Sequence, residues 1–565
     1  MSQNRKICSV LLIVVVVFSA FWLFNNAASG NNDTYYKIDK GLFYLKEVFE
    51  TISRNYVDEL DPEGLSKSAI NGMLEEFDPY TVFYEDPGSQ NLQMITRGKY
   101  GGIGMEIGIH NGEITVMSPM DDTPAKRAGV QAGDIISKIN GIPTEELSLE
   151  EASQKLRGKI GTEVTIEFER PMVDKPIVIS FTREEIVISD VTFAEFIEPG
   201  TAFIRLSRFS DKASKELKDA IRDLQSEDTI ERVILDLRQN PGGLLSAAVE
   251  VANVFLNSGE LVVSTKGSHE SETKFYTEEQ PLLPNEGLII LIDQFSASAS
   301  EIVAGAIQDL DRGVIIGESS FGKGLVQKVY PIDKISQAYL KVTTAKYYTP
   351  SGRSIQKEEY KKNKEVFTNL SDSIEYDDKI DFRTKNNRIV HGGGGVKPDI
   401  DVLENLPNRY LMILSGRGYL FQFTVDYLSK HAEIKKNGPV HVDDAILGEF
   451  MDYIMEQNIS YEMQGRRELD EFLEIAEKND YDQDLKDLIT VAIQKLTAKK
   501  SKILQENKEI ISEMLEAEFA EKLGGTKARI RNTLNYDQQT KRALEVFHDA
   551  DKYNQILAVR ELPEK

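Results

Sequence analysis

Residues 288–317 read LIILIDQFSASASEIVAGAIQDLDRGVIIG, a run that alternates a strand, a helix and a second strand. Residues 288–292 and 313–317 have the apolar character of buried strands, and residues 298–310 have the spacing of a helix. Another buried strand, residues 232–237, comes earlier and is followed by a further helical segment. Strands that alternate with helices form parallel sheets through right-handed crossovers. The sequence therefore predicts an α/β core whose functional loops lie at the carboxyl ends of its strands.

The composition describes a large folded protein with several domains. The chain has 565 residues, of which 41% are hydrophobic and 28% are charged, and this length exceeds what one core usually supports. A net charge of -25 argues against nucleic acid as a partner. Cys8 is the single cysteine, which excludes internal disulfides and thiol-rich metal sites.

The amino terminus has the pattern of an export signal. Arg5 and Lys6 precede an apolar run over residues 7–24, and small residues follow up to Gly30. Residues 1–30 are therefore predicted to be a signal peptide or a membrane anchor. The run is long for a cleaved signal and close to the length of a spanning helix, which favours an anchor. Positive charge before the run predicts an exported, periplasmic protein that residues 7–24 anchor in the inner membrane.

Two helical regions flank the middle of the chain. The segment 31–95 has apolar residues at helical spacing and a second predicted helix over residues 65–76, which favours a packing or dimer surface. The segment 403–565 is charged and helical, and we interpret it as a separate domain of unassigned role. Between the flanks, residues 387–396, which include four consecutive glycines at 392–395, predict a flexible edge or loop.

Residues 96–185 have the sequence pattern of a small β-domain, in which short strands are separated by glycine turns. In this order of elements they resemble a PDZ domain. In such a domain, consecutive backbone N–H groups of a glycine-rich loop bind a C-terminal carboxylate, while the peptide adds a strand to the sheet edge. The alternative is a structural β-domain that binds nothing. The residues predicted to bind the peptide are Gly101, Gly102, Ile103, Gly104, Met105 and Ile107.

A serine and a lysine carry the predicted chemistry of the α/β core, residues 186–402. Ser298 begins the predicted helix, where the positive end of the helix dipole favours developing negative charge. Lys323 stands between two glycines after the following strand, and a desolvated lysine can act as a general base. Gln327 shares a face with Lys323 if this segment is extended. Taken singly, Ser298 also fits a helix cap and Lys323 a solvated surface residue.

Further residues are predicted to support this pair. The backbone N–H groups of Gly242, Gly243 and Ala299 are candidates for an oxyanion hole, although the two glycines also fit a simple turn. Asp309 lies about three helical turns of ~3.6 residues after Ser298 and shares its face. We expect Asp309 to form a supporting salt bridge rather than to take part in the chemistry.

Together these motifs resemble those of the carboxyl-terminal processing peptidases, also called tail-specific proteases. The matching segments are SASASE at 296–301, SFGKGLVQ at 320–327 with Ser320 where the family has threonine, DLRQNPGG at 236–243, KYYTPSGRSIQ at 346–356 and VKPD at 396–399. The resemblance implies that Ser298 is the nucleophile, Lys323 the base and Gln327 a supporting residue, and that Asp309 matches a further family aspartate. It also implies cleavage of proteins near their C-termini, recruitment of apolar tails by the PDZ domain, and no metal or cofactor.

The predicted protein is thus a multi-domain α/β serine endopeptidase with a Ser–Lys dyad, acting on protein or peptide tails. A second copy of the chain or an adaptor protein is a further candidate partner. One alternative is a peptide-binding scaffold with a degenerate protease site. Another is a Ser–His hydrolase, although none of the histidines lies in a recognisable motif: His110, His269, His391, His431, His441 and His548.

Overall fold

The structure is a computed structural model that describes residues 35–85, 94, 97–268, 271–333, 338–357, 381–404, 407–431, 433–434, 438–457, 466–479 and 481–560. The chain forms two compact units, Met1–Pro79 and Tyr80–Lys565. The helices are α1 (35–55), α2 (Pro62–Leu74), α3 (Pro124–Arg127), α4 (Leu149–Leu156), α5 (Ala213–Glu227), α6 (Leu245–Ala252), α7 (Ala299–Asp309), α8 (Arg409–Gly416), α9 (Tyr419–Lys430), α10 (Asp444–Glu456), α11 (Arg466–Lys478), α12 (Gln483–Glu506), α13 (Lys508–Thr533), α14 (Gln538–His548) and α15 (Ala550–Leu557).

The strands are short and belong to the second unit. They are β1 (Val82–Tyr84), β2 (Lys99–Gly102), β3 (Met105–His110), β4 (Glu113–Pro119), β5 (Ile135–Ile139), β6 (Ile142–Pro143), β7 (Glu163–Glu169), β8 (Ile177–Thr182), β9 (Glu184–Val187), β10 (Val191–Glu198), β11 (Thr201–Leu206), β12 (Arg232–Asp236), β13 (Leu261–Lys266), β14 (Thr273–Tyr276), β15 (Gly287–Ile292), β16 (Val314–Gly317), β17 (Leu325–Asp333), β18 (Ala338–Tyr348), β19 (Phe382–Arg383), β20 (Ile389–Val390) and β21 (Ile400–Asp401).

The first unit contains the two amino-terminal helices. Helix α2 begins earlier than predicted because the carboxylate of Asp61 accepts a hydrogen bond from the backbone N–H of Glu63, and Pro62 supplies a first residue whose missing N–H costs nothing. Along α1 the apolar side chains of Leu42, Leu45 and Val48 are exposed.

The predicted PDZ domain is a six-stranded antiparallel sheet with two helices, α3 and α4. Strands β3, β4, β5, β7 and β8 follow one another across the sheet, and β6 pairs with β5. Helix α4 is closed at its start by a reciprocal cap, in which the side chains of Ser148 and Glu151 each accept a hydrogen bond from the other's backbone N–H. Strand β3 ends the strand order, so its outer edge pairs with no other strand of the described residues.

The central sheet of the α/β core has six strands in the order β10-β11-β12-β15-β16-β21, and all its pairs except β10–β11 are parallel. This confirms the predicted α/β core. Alternate side chains of each strand point to opposite faces. Ile290 packs in a cluster with α5, α6 and α7, whereas its neighbours Ile289 and Leu291 pack on the opposite face.

The C-terminal helices cover that opposite face. Ile530 from α13, together with Ala543, Val546 and Phe547 from α14, packs against strand residues such as Phe203. Helices α8 to α10 instead share a second cluster with parts of α12 and α13. The helical segment that we interpret as a separate domain therefore has a core of its own and also supplies one layer of the α/β core.

Within the described residues, no helix combines the length and the apolar character needed to cross a membrane. The predicted export run, residues 7–24, lies outside the described residues.

The glycine run at residues 392–395 is held in place rather than loosely attached. The backbone N–H groups of Gly393 and Gly395 donate to the carbonyls of Ser354 and Ile355 at 2.8 and 2.9 Å. A side chain at Gly395 would collide with Ser320, since a Cβ there would lie 2.5 Å from the Ser320 carbonyl oxygen. This loop therefore packs beside the segment that carries Lys323.

His110 lies where the predicted PDZ domain meets the C-terminal helical segment. Its ring is buried at the end of β3, with its centroid 6.0 Å from that of Phe421. Burial lowers the pKa of His110, although hydrogen bonds with the Arg417 backbone and the Gln422 side chain, and the charge of Asp426, oppose that change. The neutral ring therefore stabilises the fold above the ordinary histidine pKa, and this contribution is lost as the pH falls through the folded value.

We expect the thermal unfolding midpoint of the wild-type protein to fall more steeply between pH 7 and pH 5 than that of His110→Phe, which keeps the ring contact and cannot be protonated. Calorimetry of both proteins across this range measures the difference. Parallel curves would mean that His110 does not titrate in this way.

Candidate active site

Ser298 lies at the turn between strand β15 and helix α7, at the carboxyl end of the sheet. Its backbone adopts φ 55° and ψ -110°, a conformation that residues other than glycine rarely take. Such strain costs about 1–3 kcal/mol and persists where the surroundings impose it, most often at functional sites. Ser298 is half-buried, so the turn presents it at the surface of the core.

Gly242 packs directly against this turn, and only glycine fits there. A Cβ at Gly242 would lie 2.8 Å from the Cβ of Ser298 and 2.5 Å from the carbonyl oxygen of Ala297. Its φ of 93° is also a conformation that favours glycine. The loop from Asn240 to Gly243 is therefore in close contact with the predicted nucleophile.

The backbone N–H groups around Ser298 differ in their partners. That of Gly242 donates to Oδ1 of Asn240 at 2.9 Å. Among the described residues, those of Gly243 and Ala299 have no protein acceptor. Ala299 is fully buried, and a buried unpaired N–H is costly unless something else accepts from it. Of the three predicted oxyanion donors, Gly243 and Ala299 are thus available in this conformation.

Lys323 follows strand β16 on a loop that glycines shape. Gly322 has φ 88°, and the N–H of Gly324 donates to Oε1 of Gln356 at 2.8 Å. The lysine is half-buried, and its ammonium lies 4.3 Å from the centroid of the Tyr80 ring. The amine thus lies over an aromatic ring in this conformation.

The carboxylate of Glu301 joins the serine turn to the lysine loop. Its Oε2 accepts hydrogen bonds from the backbone N–H of Ser298 at 2.8 Å and from that of Lys323 at 2.9 Å. Its Oε1 accepts from the hydroxyl of Ser320 at 2.5 Å and from the N–H of Gly322 at 2.8 Å. Glu301 is fully buried. Burial raises the pKa of Glu301, and the four hydrogen bonds oppose that rise.

Tyr347 joins the same two segments through their carbonyl groups. Its hydroxyl lies 3.0 Å from the carbonyl oxygen of Ser298 and 2.5 Å from that of Lys323. Burial raises the pKa of Tyr347 well above the ordinary tyrosine value, so the phenol stays protonated and can donate. The backbones of Ser298 and Lys323 are therefore held side by side through both their N–H and their carbonyl groups.

Gln327 lies on strand β17 but does not follow simple alternation from Lys323. A bulge between Val326 and Gln327 shifts the register against β18. The amide nitrogen of Gln327 donates to the carbonyl of Leu325 at 3.2 Å and to the hydroxyl of Thr343 at 3.4 Å. In this conformation the Gln327 amide therefore holds its own strand pair.

Asp309 lies at the end of helix α7 and faces Arg353. Its Oδ1 is 2.8 Å from the Arg353 guanidinium, and both side chains are fully buried. Its Oδ2 accepts a hydrogen bond from the N–H of Ser351 at 3.0 Å. Arg353 also donates to Oε1 of Gln308 at 2.7 Å. This ion pair fixes the loop after Tyr347 against the helix that begins at Ser298.

In the predicted PDZ domain Gly101 and Gly102 do not lie in a loop: they end strand β2 and pair with strand β9, and only Ile103 and Gly104 connect β2 to β3. A Cβ at Gly101 would lie 2.1 Å from the carbonyl oxygen of Gly158, and Gly104 has φ 75°. Ile103 and Met105 are buried in the domain core, and Ile107 is half-buried. The free edge of β3 therefore starts at a loop that glycine alone can form.

The histidines of the alternative Ser–His mechanism have the following surroundings. His431, His441 and His548 pair with glutamates, and His110 is buried in the PDZ joint. The carbonyl of His391 accepts a hydrogen bond from Arg353. His269 is not among the described residues.

Sequence reasoning missed Glu301 and Tyr347 as site residues. Glu301 carried a usable signal, because serine followed three residues later by glutamate is the pattern of a reciprocal helix cap. Tyr347 carried no local signal, since its contacts join residues that are distant in sequence.

Comparison with known proteins identifies four segments of the chain. Residues 200–366 match peptidase family S41, and residues 115–170 match a PDZ domain. Residues 411–547 match the C-terminal helical domain of a probable PDZ-protease, and residues 24–87 match the N-terminal domain of the activating protease CtpB.

Two curated relatives are similar to this chain over 61% of its length. The chain is 41% identical to the carboxy-terminal-processing protease of Bartonella bacilliformis over 351 residues, which covers 61% of this chain and 80% of that protein. It is 34% identical to a probable CtpA-like serine protease of Staphylococcus aureus over 350 residues, covering 61% and 68% respectively. Among solved structures it is similar to the photosystem II D1 C-terminal processing protease, with 26% identity and a TM-score of 0.34, covering 64% of this chain and 93% of that one.

Proposed function

The chain belongs to peptidase family S41 and is a carboxy-terminal-processing serine protease with a PDZ domain, and from this premise we propose that Ser298 and Lys323 form its catalytic dyad. We further propose that its substrates are proteins recruited by apolar C-terminal tails. The observation that carries the dyad is the shared contact with Glu301, one of whose oxygens accepts hydrogen bonds from the backbone N–H of both residues.

In the proposed mechanism, the neutral amine of Lys323 takes the proton of the Ser298 hydroxyl as the oxygen attacks the peptide carbonyl. The resulting ammonium then gives this proton to the leaving amine, and an acyl-enzyme remains. Water, deprotonated by the same amine, releases the acyl group and restores Ser298. Lys323 thus acts first as a base and then as an acid in each half of the reaction.

The contact between Lys323 and Tyr80 supports a resting form of this dyad. An ammonium above an aromatic ring is stabilised, whereas the base must be neutral when it acts. We therefore propose that the amine leaves the Tyr80 ring when a substrate enters and displaces water from the cleft.

The N–H groups of Ala299 and Gly243 are the proposed oxyanion donors. Ala299 directly follows Ser298, and Gly243 directly follows Gly242, which packs against the Ser298 turn. Both N–H groups lack a protein acceptor among the described residues. Gly242 contributes because it has no side chain, which lets its backbone pack against Ser298. Its own N–H becomes a third donor only when its hydrogen bond to Asn240 breaks. Preorganised donors of this kind stabilise the charge that develops on the carbonyl oxygen.

Gln327 and Asp309 are proposed to support the dyad from two sides. Gln327 lies on the strand that follows Lys323, and we propose that its amide turns from Thr343 towards the amine during turnover. Asp309 acts through its buried pair with Arg353, which steadies the segment carrying Tyr347. Neither side chain takes part in bond making.

Tail recruitment is supported by the geometry of the PDZ domain. The unpaired edge of β3 can accept a peptide as an added strand, and the glycine loop that precedes it can receive the terminal carboxylate. The glycine segment comprises Gly101 and Gly102 at the end of β2, followed by Ile103 and Gly104. Met105 and Ile107 lie on the strand that the tail would join, and we propose that they contact its apolar side chains.

The test uses one unstructured protein with either an apolar or an acidic C-terminal tail. We expect the wild-type enzyme to cleave the apolar-tailed protein faster, and Ser298→Ala to bind it without cleaving it. Mass spectrometry of the fragments and fluorescence anisotropy of a tail peptide measure cleavage and binding. Cleavage by Ser298→Ala at the wild-type rate would refute the nucleophile, and equal rates for the two tails would refute the recruitment.

We propose that the protein is exported and that residues 7–24 anchor it in the inner membrane. Arg5 and Lys6 before an apolar run support this orientation. Fractionation of cells, followed by proteolysis from the periplasmic side, tests it. A protein found in the cytosolic fraction would contradict the proposal.

A second copy of the chain, or an adaptor protein, is proposed to cover helix α1. The exposed apolar residues of this helix support such a contact, because an apolar stripe in water is unfavourable. Light scattering of the purified protein distinguishes the two partners: a dimer supports self-association, and a monomer that is recovered with a stoichiometric partner supports an adaptor.

A further inference from the structure

The loop beside Ser298 begins at a buried arginine that the C-terminal helical segment holds. Arg238 follows strand β12, and its guanidinium lies 2.6 Å from Oδ2 of Asp537. The same guanidinium lies 2.8 Å from Oδ1 of Asp236, at the end of the strand. Arg238 is 7% exposed, so both ion pairs are shielded from water. An arginine fork between two carboxylates fixes the direction of the chain that carries it.

Asp537 is also the residue that begins helix α14. Its Oδ1 accepts hydrogen bonds from the backbone N–H of Gln539 at 2.9 Å and of Thr540 at 3.0 Å. Gln539 is fully buried, and its amide nitrogen donates to the carbonyl of Val402 at 3.0 Å, directly after the last strand of the sheet. The start of α14 is therefore fixed at the edge of the sheet from which the catalytic loops leave.

From Arg238 the chain runs directly into the predicted oxyanion loop. Gln239 has φ 59°, and its backbone N–H and side-chain amide both donate to the carboxylate of Asp293. The carbonyl of Asn240 accepts hydrogen bonds from the N–H of Ala297 at 3.0 Å and the hydroxyl of Ser300 at 2.9 Å. A small displacement of Arg238 would thus move the loop that ends at Gly243.

We propose that the C-terminal helical segment positions the oxyanion loop, and that Asp537 does so by holding Arg238. The inference rests on the proposed Ser–Lys mechanism and gives this segment a part in it. Asp537 touches neither substrate nor reacting atoms, so it is a positioning residue. Removal of its charge leaves Gly243 free to drift from the place where the carbonyl oxygen becomes negative, which lowers turnover and leaves the binding of the tail unchanged.

The chain offers a variant and a matched control. Asp537→Asn removes the charge but keeps a good helix cap, and Asp236 still pairs with Arg238, so no buried charge is left alone. Asp443→Asn is the control, because Asp443 caps helix α10 in the same way, through the N–H groups of Ala445 and Ile446 at 3.1 and 3.0 Å. We expect Asp537→Asn to lower kcat roughly 10- to 100-fold at unchanged KM, and Asp443→Asn to keep both constants.

An apolar peptide aldehyde tests the oxyanion loop itself. The Ser298 oxygen adds to the aldehyde carbon and Lys323 takes the hydroxyl proton, which leaves a hemiacetal oxyanion and no leaving group. We expect the inhibition constant of the aldehyde to rise with Asp537→Asn in the same proportion as kcat falls. The Kd of an uncleaved apolar tail peptide should stay the same.

Two further variants separate positioning from folding. Asp537→Glu keeps the charge and should restore most of the turnover, and Asp537→Ser keeps a cap without charge and should behave as Asp537→Asn does. Thermal unfolding is measured for each. The inference is overturned if folded Asp537→Asn or Asp537→Ser turns over substrate as Asp443→Asn does, or if kcat falls without a change in aldehyde inhibition. Cleavage by Ser298→Ala would instead overturn the dyad.

Discussion

Replacement of Lys323 with alanine is expected to lower turnover about 10⁴-fold, by analogy with the loss of single members of other catalytic groups. A serine hydroxyl is a weak nucleophile, and in the proposed mechanism the Lys323 amine is the base that removes its proton. The fold should survive, since the backbone N–H of Lys323 keeps its hydrogen bond to Glu301 and its carbonyl keeps the contact with Tyr347. Single-turnover cleavage of an apolar-tailed protein measures the effect.

Lys328→Ala is the matched control for this prediction. Lys328 is an exposed lysine on the strand that follows Lys323, and its loss changes the net charge by the same amount. We expect Lys328→Ala to cleave at close to the wild-type rate, and both variants to bind a tail peptide with the wild-type Kd because the PDZ domain is unchanged. Near-normal cleavage by Lys323→Ala would show that another group is the base.

Replacement of Glu301 with glutamine is expected to lower kcat about 10²-fold and to destabilise the fold by about 2–5 kcal/mol. An amide has the shape of the carboxylate, but one of its ends carries hydrogens. That end would face two of the four donors that now point at Glu301, either Ser298 and Lys323 or Ser320 and Gly322. Those donors would be left unpaired in a site that water does not reach. Steady-state kinetics and thermal unfolding measure the two effects.

Glu151→Gln is the control for Glu301, because the PDZ domain uses the same local motif. Glu151 accepts a hydrogen bond from the backbone N–H of Ser148 at 2.8 Å, the same distance as in the active site, but it is exposed. Water can replace its lost contacts, so we expect little change in stability or turnover. If Glu301→Gln and Glu151→Gln changed kcat and stability by the same small amounts, the hydrogen bonds of Glu301 to the serine turn and the lysine loop would not be needed for catalysis.

The sequence predicts the secondary structure of the core well, because the apolar pattern that specifies each helix or strand lies within that element. Helix α7 runs over Ala299–Asp309 where residues 298–310 were expected, and β15 and β16 lie within one residue of their predictions. Long apolar runs between glycine turns have few other solutions. Ser298 and Lys323 could be singled out because the chemistry of their neighbours is unusual.

The sequence was a poor guide wherever the contact is distant. Nothing near Tyr347 indicates that its hydroxyl meets two carbonyl groups, and nothing near Asp537 indicates a partner at Arg238. The bulge before Gln327 breaks the alternation on which its predicted orientation depended. A charged helical composition also concealed that Phe547 and Val546 pack against the central sheet, because the few apolar residues of α14 give no hint of what they cover.

The packing of Ile530, Val546 and Phe547 against the central sheet affects when the enzyme can fold during its synthesis. The ribosome synthesises the sheet strands long before Ile530, Val546 and Phe547, which complete the second apolar face of the sheet. Domains fold during synthesis only when all their parts have emerged. We expect a nascent chain that lacks its final helices to be inactive, so the cell is spared proteolysis by an enzyme still on its way to its destination.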